Sequence, residues 1–469
     1  MTSVKKNFIY NLAYQILTFL TPLITTPYLS RVLGAEKTGV YSFSYSIAYY
    51  FVLFAMLGLN NYGNREIAKV REDIELRSKT FWSIYGLQFL TAIAALTAYT
   101  IYSVCAGSKV INFIMALYVL SSLFDINWFF WGMEEFKITV VRNTIIKLGT
   151  VAGILIFVKS QDDLYVYSLI MVAGMLLSAL ILWPYLNKRV KFYRPTVKKV
   201  MQHLKPNLLL FIPVIAVSLY KVMDKIMLGN MASYAEVGFY DYSEKVIAIP
   251  ICVVNALGTV MLPRMSNIVA KQDNVAENDM IHKSIIFGTI MSCAMSFGLI
   301  AVANVFVPFF YGDGYLKCIS LFYILLPSCV FLAIANVIRT QYLIPHSMDK
   351  EFTFSLILGA VVNLIVNAAL IPRMQSTGAA VGTLIAEMFV CVFQISCVKK
   401  FLPIKQYLAD IVYIVLAGFV MAIIVYVLPV IGGNAITLAY KVVMGAFVFL
   451  IMVLVKYRKM VVELIGKKG

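Results

Sequence analysis

Apolar runs of about twenty residues recur from one end of the chain to the other, and no other feature limits the fold as tightly. A helix needs ~20 predominantly apolar residues to cross a bilayer. About fourteen such runs begin near residues 8, 38, 80, 109, 138, 163, 207, 238, 283, 317, 352, 377, 405 and 435, with short polar turns between them. The alternation over roughly ten residues that transmembrane strands require is missing. The reading is an all-α polytopic membrane protein with about 14 transmembrane helices. Composition supports it, since 61% of the 469 residues are hydrophobic and only 13% are charged. The first run, NFIYNLAYQILTFLTPLITTPYL, is too long for a signal-peptide core and lacks a small-residue cleavage site. It reads as a retained span. Neither end carries a lipidation motif.

A net charge of +17 raises the question of nucleic acid, and its distribution answers it. If odd-numbered spans run outward, the inner segments hold 29 lysines and arginines and the outer turns hold seven. A bias of that size fixes both termini in the cytoplasm. The basicity is topological, and no nucleic-acid partner is expected. The seven cysteines form no CxxC pair and read as small apolar fillers. His203, His282 and His346 all fall in inner connections without zinc-type spacing. No catalytic set, metal site or cofactor is expected.

The longest polar connection, NKRVKFYRPTVKKVMQHLKP, divides the chain. Residues 1–186 hold spans 1–6 as an N-terminal lobe, and 187–206 form a basic cytoplasmic linker. Residues 207–400 hold spans 7–12 as a C-terminal lobe, and 401–469 hold spans 13–14 and a tail. An internal echo supports two lobes. In the first, LG (33–34), GVY (39–41), LG (57–58), Arg65 and IAK (67–69) follow in order. In the second, LG (228–229), GFY (238–240), LG (257–258), Arg264 and VAK (269–271) do the same. Substrate sites of such repeat transporters lie near the bilayer midplane.

The stretches PYLSRVLGAEKTGVYSF, LGLNNYGNREIA, INWFFWGMEEFKITVVRN, VPFFYGDGYL, QYLIP, VVNLIVNAALIP and STGAAVGTLIAE carry a family likeness. The chain resembles the polysaccharide-biosynthesis, O-antigen type oligosaccharide flippases of the multidrug/oligosaccharidyl-lipid/polysaccharide exporter superfamily. That resemblance implies two pseudo-symmetric six-helix bundles in a MATE-like V around a central cavity, with two further C-terminal helices. It also implies a multi-pass protein of the bacterial inner membrane. The implied activity is flipping of an undecaprenyl-diphosphate-linked oligosaccharide by alternating access. Membrane lipid and that substrate are the implied partners, with a polysaccharide polymerase and other pathway proteins as candidates.

Charges inside spans are the candidate site residues. A charge at the bilayer centre costs roughly 2.5–3.5 kcal/mol on insertion scales, so each needs a reason. In SLYKVMDKIMLGN, Lys221, Asp224 and Lys225 share one helix face at i, i+3 and i+4. In GFYDYSEKV, Asp241, Glu244 and Lys245 repeat the spacing. An antiparallel hairpin turning near residue 233 would set Lys225 by Asp241 and Lys221 by Glu244, as a structural ion-pair lattice or a substrate-cavity wall. The corresponding first-lobe stretch offers Tyr41, Ser42, Ser44, Tyr45, Ser46 and Tyr49, suited to sugar or to an interfacial belt. Arg31 and Arg339 are candidates for a diphosphate, with snorkelling to the interface as the alternative. Glu387 sits mid-span, level with Asn363 and near Asn367. These three are the coupling-ion candidates, for Na+ or H+, against a plain Glu–Asn bond between helices. Asp125, Arg142 and Asn143 read as a structural clamp, and Trp128, Phe129, Phe130 and Trp131 as an interfacial aromatic belt. Two other functions stay in view: an ion-coupled multidrug exporter of the same superfamily, and a membrane polysaccharide polymerase. The polymerase would want a long outer loop.

Overall fold

The computed structural model describes Thr18, residues 21–106 and residues 110–466. Every regular element there is helical. Among the described residues, 13 helical segments are long and apolar enough to cross a membrane, in the order expected. The first expected span falls mostly outside the described residues.

The chain forms two compact units, Met1–Gly229 and Asn230–Gly469. The first contains α1 (residues 21–32), α2 (Gly34–Met56), α3 (Leu59–Val70), α4 (Ile74–Cys105), α5 (Val110–Phe124), α6 (Asn127–Gly132), α7 (Phe136–Phe157) and α8 (Leu164–Leu180). The short α9 (Trp183–Leu186) and α10 (Val197–Met201) follow, then α11 (Leu204–Met231), nearly all of which belongs to this unit. The compact division therefore falls one helix later than the basic stretch 187–206. Packing explains it. A Cβ added at Gly229 would lie 2.1 Å from the Phe43 ring, the Tyr50 hydroxyl donates to the Ser218 carbonyl at 3.1 Å, and Phe54 meets Phe211 edge-on at 5.4 Å.

The aromatic run in α6 departs from the sequence reading. Trp128, Phe129 and Phe130 lie wholly inside the core, against Phe81, Leu59 and Ile67, and do not form an interfacial belt. Glycines make the room: a Cβ at Gly63 would meet the Trp128 ring at 2.5 Å, and one at Gly132 would meet Ile67 at 2.8 Å. The indole N–H donates to Gln88 Oε1 at 2.9 Å, so the one polar atom of the ring is satisfied.

The second unit contains α12 (Tyr234–Ala270), α13 (Asn274–Phe310), α14 (Lys317–Leu325), α15 (Ser328–Ile338), a π-helical turn at Arg339–Leu343, α16 (Asp349–Met374), α17 (Ser376–Val398), α18 (Ile404–Val427) and α19 (Asn434–Gly466). Pro327, which lacks an N–H, separates α14 from α15. The echo in the sequence has a structural counterpart. Gly34–Val70 and Tyr234–Ala270 are both 37-residue helical stretches, and Asp73 and Asp273 both cap the helix that follows. The N–H groups of Leu76 and Glu75 hold the Asp73 carboxyl below the usual carboxylate range. At 37 residues, α12 and α13 reach roughly 55 Å, well beyond a hydrocarbon core of about 30 Å. Apolar runs mark only the lipid-crossing part, which is why α13 begins before the expected position near residue 283.

Candidate functional site

The α16–α17 hairpin positions the main candidates. Gln375 turns the chain at φ 55°, its N–H returning to Ile371 O at 2.8 Å. Gly378, Gly382 and Ala386 then recur every fourth residue, a small-residue stripe that lets two helices approach closely. A Cβ at Gly378 would lie 2.7 Å from the Leu370 backbone, and one at Gly382 would lie 2.0 Å from Asn367 Oδ1. Asn363 and Asn367 face this seam, and Asn367 Nδ2 donates to Asn363 Oδ1 at 3.1 Å.

Glu387 follows the stripe and is 4% exposed. Its electrostatic neighbours include Arg339 and the thiols of Cys329 and Cys391. The depth count along the sequence pairs Glu387 with amides alone; the structure adds a cation. Arg339 opens the π-helical turn after α15, with its guanidinium carbon 5.8 Å from the Phe352 ring centroid. Among the described residues, no side chain or carbonyl accepts a hydrogen bond from that guanidinium. Beside it, Gln341 is 0% exposed, and neither atom of its amide has a partner among the described residues. Asn336 Nδ2 reaches Asn255 Oδ1 at 3.0 Å, yet its own Oδ1 is unpartnered there. Unpartnered buried polar atoms cost roughly 1–3 kcal/mol each. A π-turn is itself rare and occurs often at functional sites.

The hairpin charges fall in different units. In the first, Lys221 is exposed, Lys225 is half-buried, and Asp224 is buried within electrostatic reach of the Tyr50 hydroxyl. In the second, Asp241 is buried and its Oδ2 lies 2.8 Å from Lys245 Nζ, which also stands 4.4 Å over the Tyr242 ring. Glu244 is half-buried. Arg31 is exposed and donates to Pro27 O at 2.8 Å. The tyrosines of α2 stack inside the first unit: Tyr45 lies 5.1 Å from Tyr118 and nearly parallel to it, and Tyr41 packs on Tyr167 at 4.7 Å. Ser42, Ser44 and Ser46 are buried, and Ser46 bonds back to Ser42 O.

Some groups were missed by sequence reasoning. Glu236 lies in the first turn of α12, where the helix dipole favours an anion. It accepts from Lys317 Nζ at 2.5 Å and from Ser376 N at 3.1 Å and Oγ, tying the starts of α12, α14 and α17 together. Its S-x-x-E spacing from Ser233 reads as a capping box, which hides the longer-range role. Near the start of α13, His282 Nε2 lies 2.7 Å from Asp410 Oδ2 of α18, and Glu277 Oε1 lies 2.8 Å from His346 Nε2, which precedes α16.

The helical order, long helices and solved relatives define a membrane protein with a MATE-like fold. A structure titled "Lipid II flippase MurJ, inward closed conformation" superposes with TM-score 0.74 at 19% identity, covering 96% of this chain and 100% of that one. An inward-facing MATE multidrug transporter of the MOP superfamily superposes with TM-score 0.58 at 10% identity, covering 83% and 95%. The sequence model of the polysaccharide biosynthesis protein family matches residues 4–269, and the chain belongs to that family. An Escherichia coli (strain K12) protein provisionally named as an O-antigen transporter is 25% identical over 413 residues, 85% of this chain and 97% of its own length. A Haloferax volcanii protein provisionally named as a low-salt glycan biosynthesis flippase is 22% identical over 286 residues, 61% and 60% of the two chains.

Proposed function

We propose that the chain flips a lipid-linked oligosaccharide, carried on undecaprenyl diphosphate, from the cytoplasmic to the outer leaflet of a bacterial inner membrane. One observation carries the reading. A member of the polysaccharide biosynthesis family keeps a guanidinium and a carboxylate, Arg339 and Glu387, in electrostatic contact inside spanning helices. A guanidinium fork suits the oxygens of a diphosphate, and an arginine whose donors find no acceptor among the described residues is placed to meet them. The polyprenyl tail stays in lipid while the polar head crosses, and alternating access carries it between leaflets with both termini in the cytoplasm. No covalent step is required. The energy comes from an ion gradient, the membrane potential or consumption of the product by a polymerase or another enzyme of the pathway. Glu387, with the amides Asn363 and Asn367, supplies hard oxygen donors suited to a proton or Na+.

The test is the leaflet distribution of lipid-linked intermediates in cells with and without the chain. Loss of the chain is expected to trap intermediates on the inner leaflet, and Arg339→Ala to reproduce that trapping while the protein still reaches the membrane. Intermediates that reach the outer leaflet equally with Arg339→Ala would remove the diphosphate role. An equal distribution without the chain would remove the function.

A further inference from the structure

The stretch 187–203 is the most basic in the chain, and it is not a slack tether. Its backbone is pinned to the first unit. Lys191 N donates to Ser78 Oγ at 2.9 Å, Trp82 Nε1 to Lys191 O at 3.0 Å, and Arg77 Nη2 to Arg189 O at 2.7 Å. Arg189 is bound to Glu135 at 2.6 Å, and Val200 is buried where α10 lies on α4, 3.0 Å from a Cβ built at Gly86. What this pinning raises to the surface is unusual. Phe192 is 79% exposed and Val197 77% exposed, interleaved with exposed Lys188, Lys191, Arg194, Lys198 and Lys199.

Among the described residues, none of Lys188, Lys191, Arg194 and Lys198 has an acidic partner, and Lys199 meets only Tyr193, at 3.0 Å. No Asp or Glu occurs between 187 and 206. The same side of the first unit treats other cations differently. Lys69 sits on Glu66 at 2.8 Å, Arg71 on Glu134 at 2.6 Å and Lys79 on Glu75 at 2.5 Å. Those charges are neutralised in place; the charges of 188–199 are left for an external anion. The segment is fixed at both ends to membrane helices, so its exposed ring and aliphatic side chains stay at the bilayer surface. Aromatic and aliphatic side chains among lysines are what the headgroup region of an anionic leaflet accepts.

We infer that residues 188–199 form a docking surface for anionic phospholipid headgroups, with Phe192 and Val197 entering the leaflet and Lys188, Lys191, Arg194 and Lys198 meeting phosphates. The inference does not rest on the flippase reading. Its test uses the full-length chain purified in detergent, with retained phosphatidylglycerol or phosphatidylcholine counted by native mass spectrometry. The triple variant Lys191→Gln, Arg194→Gln, Lys198→Gln is expected to weaken phosphatidylglycerol retention about tenfold or more and leave phosphatidylcholine unchanged. A matched variant, Lys69→Gln, Lys79→Gln, Lys283→Gln, removes the same charge from acid-paired positions, Lys283 lying 2.7 Å from Asp279 on α13, and is expected to keep the wild-type preference. Phe192→Ser is expected to weaken retention of both lipids. Equal losses in the two triple variants would reduce the effect to net charge and overturn the site. Inorganic pyrophosphate displacing phosphatidylglycerol at stoichiometric amounts would reassign it to a soluble phosphate. Among the described residues the substituted lysines and arginine make no tertiary hydrogen bond or ion pair, so an unchanged melting temperature checks that those variants are folded. Phe192 also meets the Trp82 ring edge-on at 5.2 Å, and a small drop is expected for Phe192→Ser.

Discussion

Arg142 and Arg339 both lie in spanning helices, one in each compact unit, and their surroundings are opposite. Arg142 in α7 donates to Ser178 O at 2.8 Å, Asn127 Oδ1 at 2.8 Å and Asn143 Oδ1 at 2.6 Å. Asp125, which takes two hydrogen bonds from Asn127, supplies the balancing charge. Arg339 has an aromatic face beneath it and Glu387 in electrostatic reach, with no acceptor for its donors among the described residues. Two buried glutamines repeat the contrast. Gln88 gives two bonds, to Ser122 O and Asp125 O, and takes one from Trp128; Gln341 makes none among the described residues. A closed set of partners is what a buried polar group needs in order to stabilise a fold. An open set costs stability and is kept where something other than the protein completes it. The first unit has one group of the second kind, Asn207, whose amide is unpartnered among the described residues.

The sharpest way to break this contrast is to remove the closed arginine. Arg142→Ala removes the donor to the Ser178 carbonyl and to Asn127 Oδ1 and leaves Asn143 Oδ1 only the Ser178 hydroxyl, at 3.3 Å. It also leaves Asp125 uncompensated, so a loss of roughly 3 kcal/mol or more is expected. Thermal melting of the detergent-solubilised protein reads it, and a wild-type midpoint would show that the cluster is not structural. The glutamine pair gives a smaller effect with a difference in sign. Gln88→Leu is expected to destabilise by about 1–3 kcal/mol, because it strands the Trp128 indole and two carbonyls. Gln341→Leu removes two orphaned atoms and is expected to be neutral or mildly stabilising. If both substitutions destabilise alike, Gln341 has a hidden partner and the contrast fails.

How much of this was legible in the sequence follows from what sequence spacing encodes. Apolar run length reports the lipid-crossing part of each helix, so the spans were readable and their long extensions were not. Asp125, Arg142 and Asn143 come together as read, because they flank one turn between consecutive helices and depth alone aligns them. Trp128, Phe129 and Phe130 were misplaced because an aromatic run looks the same at an interface and in a core. The distinguishing signal was distant: Gly63 on α3 clears the space that Trp128 fills. The coupling of Arg339 to Glu387 joins helices that are not consecutive, and depth counting across a single turn cannot find such a pair. The π-helical turn that begins at Arg339 leaves no local signature in RTQYL.

The subtlest expected effect is at Glu387, and it separates stability from transport. Glutamine keeps the shape of the side chain but not its charge, so Glu387→Gln is expected to shift stability by about 1 kcal/mol or less if the carboxylate holds a coupling ion, and by about 1–3 kcal/mol if it compensates Arg339. What it removes is the carboxylate charge in electrostatic reach of Arg339. If Glu387 takes up the coupling ion, the variant loses the dependence of flipping on pH or on sodium while melting like the parent. If it serves only to compensate Arg339, the variant instead weakens flipping at every pH and sodium concentration by a constant factor, because an uncompensated cation then sits in the second unit. The two outcomes differ in the shape of the ion-dependence curve, so rates measured across pH and sodium in reconstituted vesicles assign the carboxylate to one role or the other.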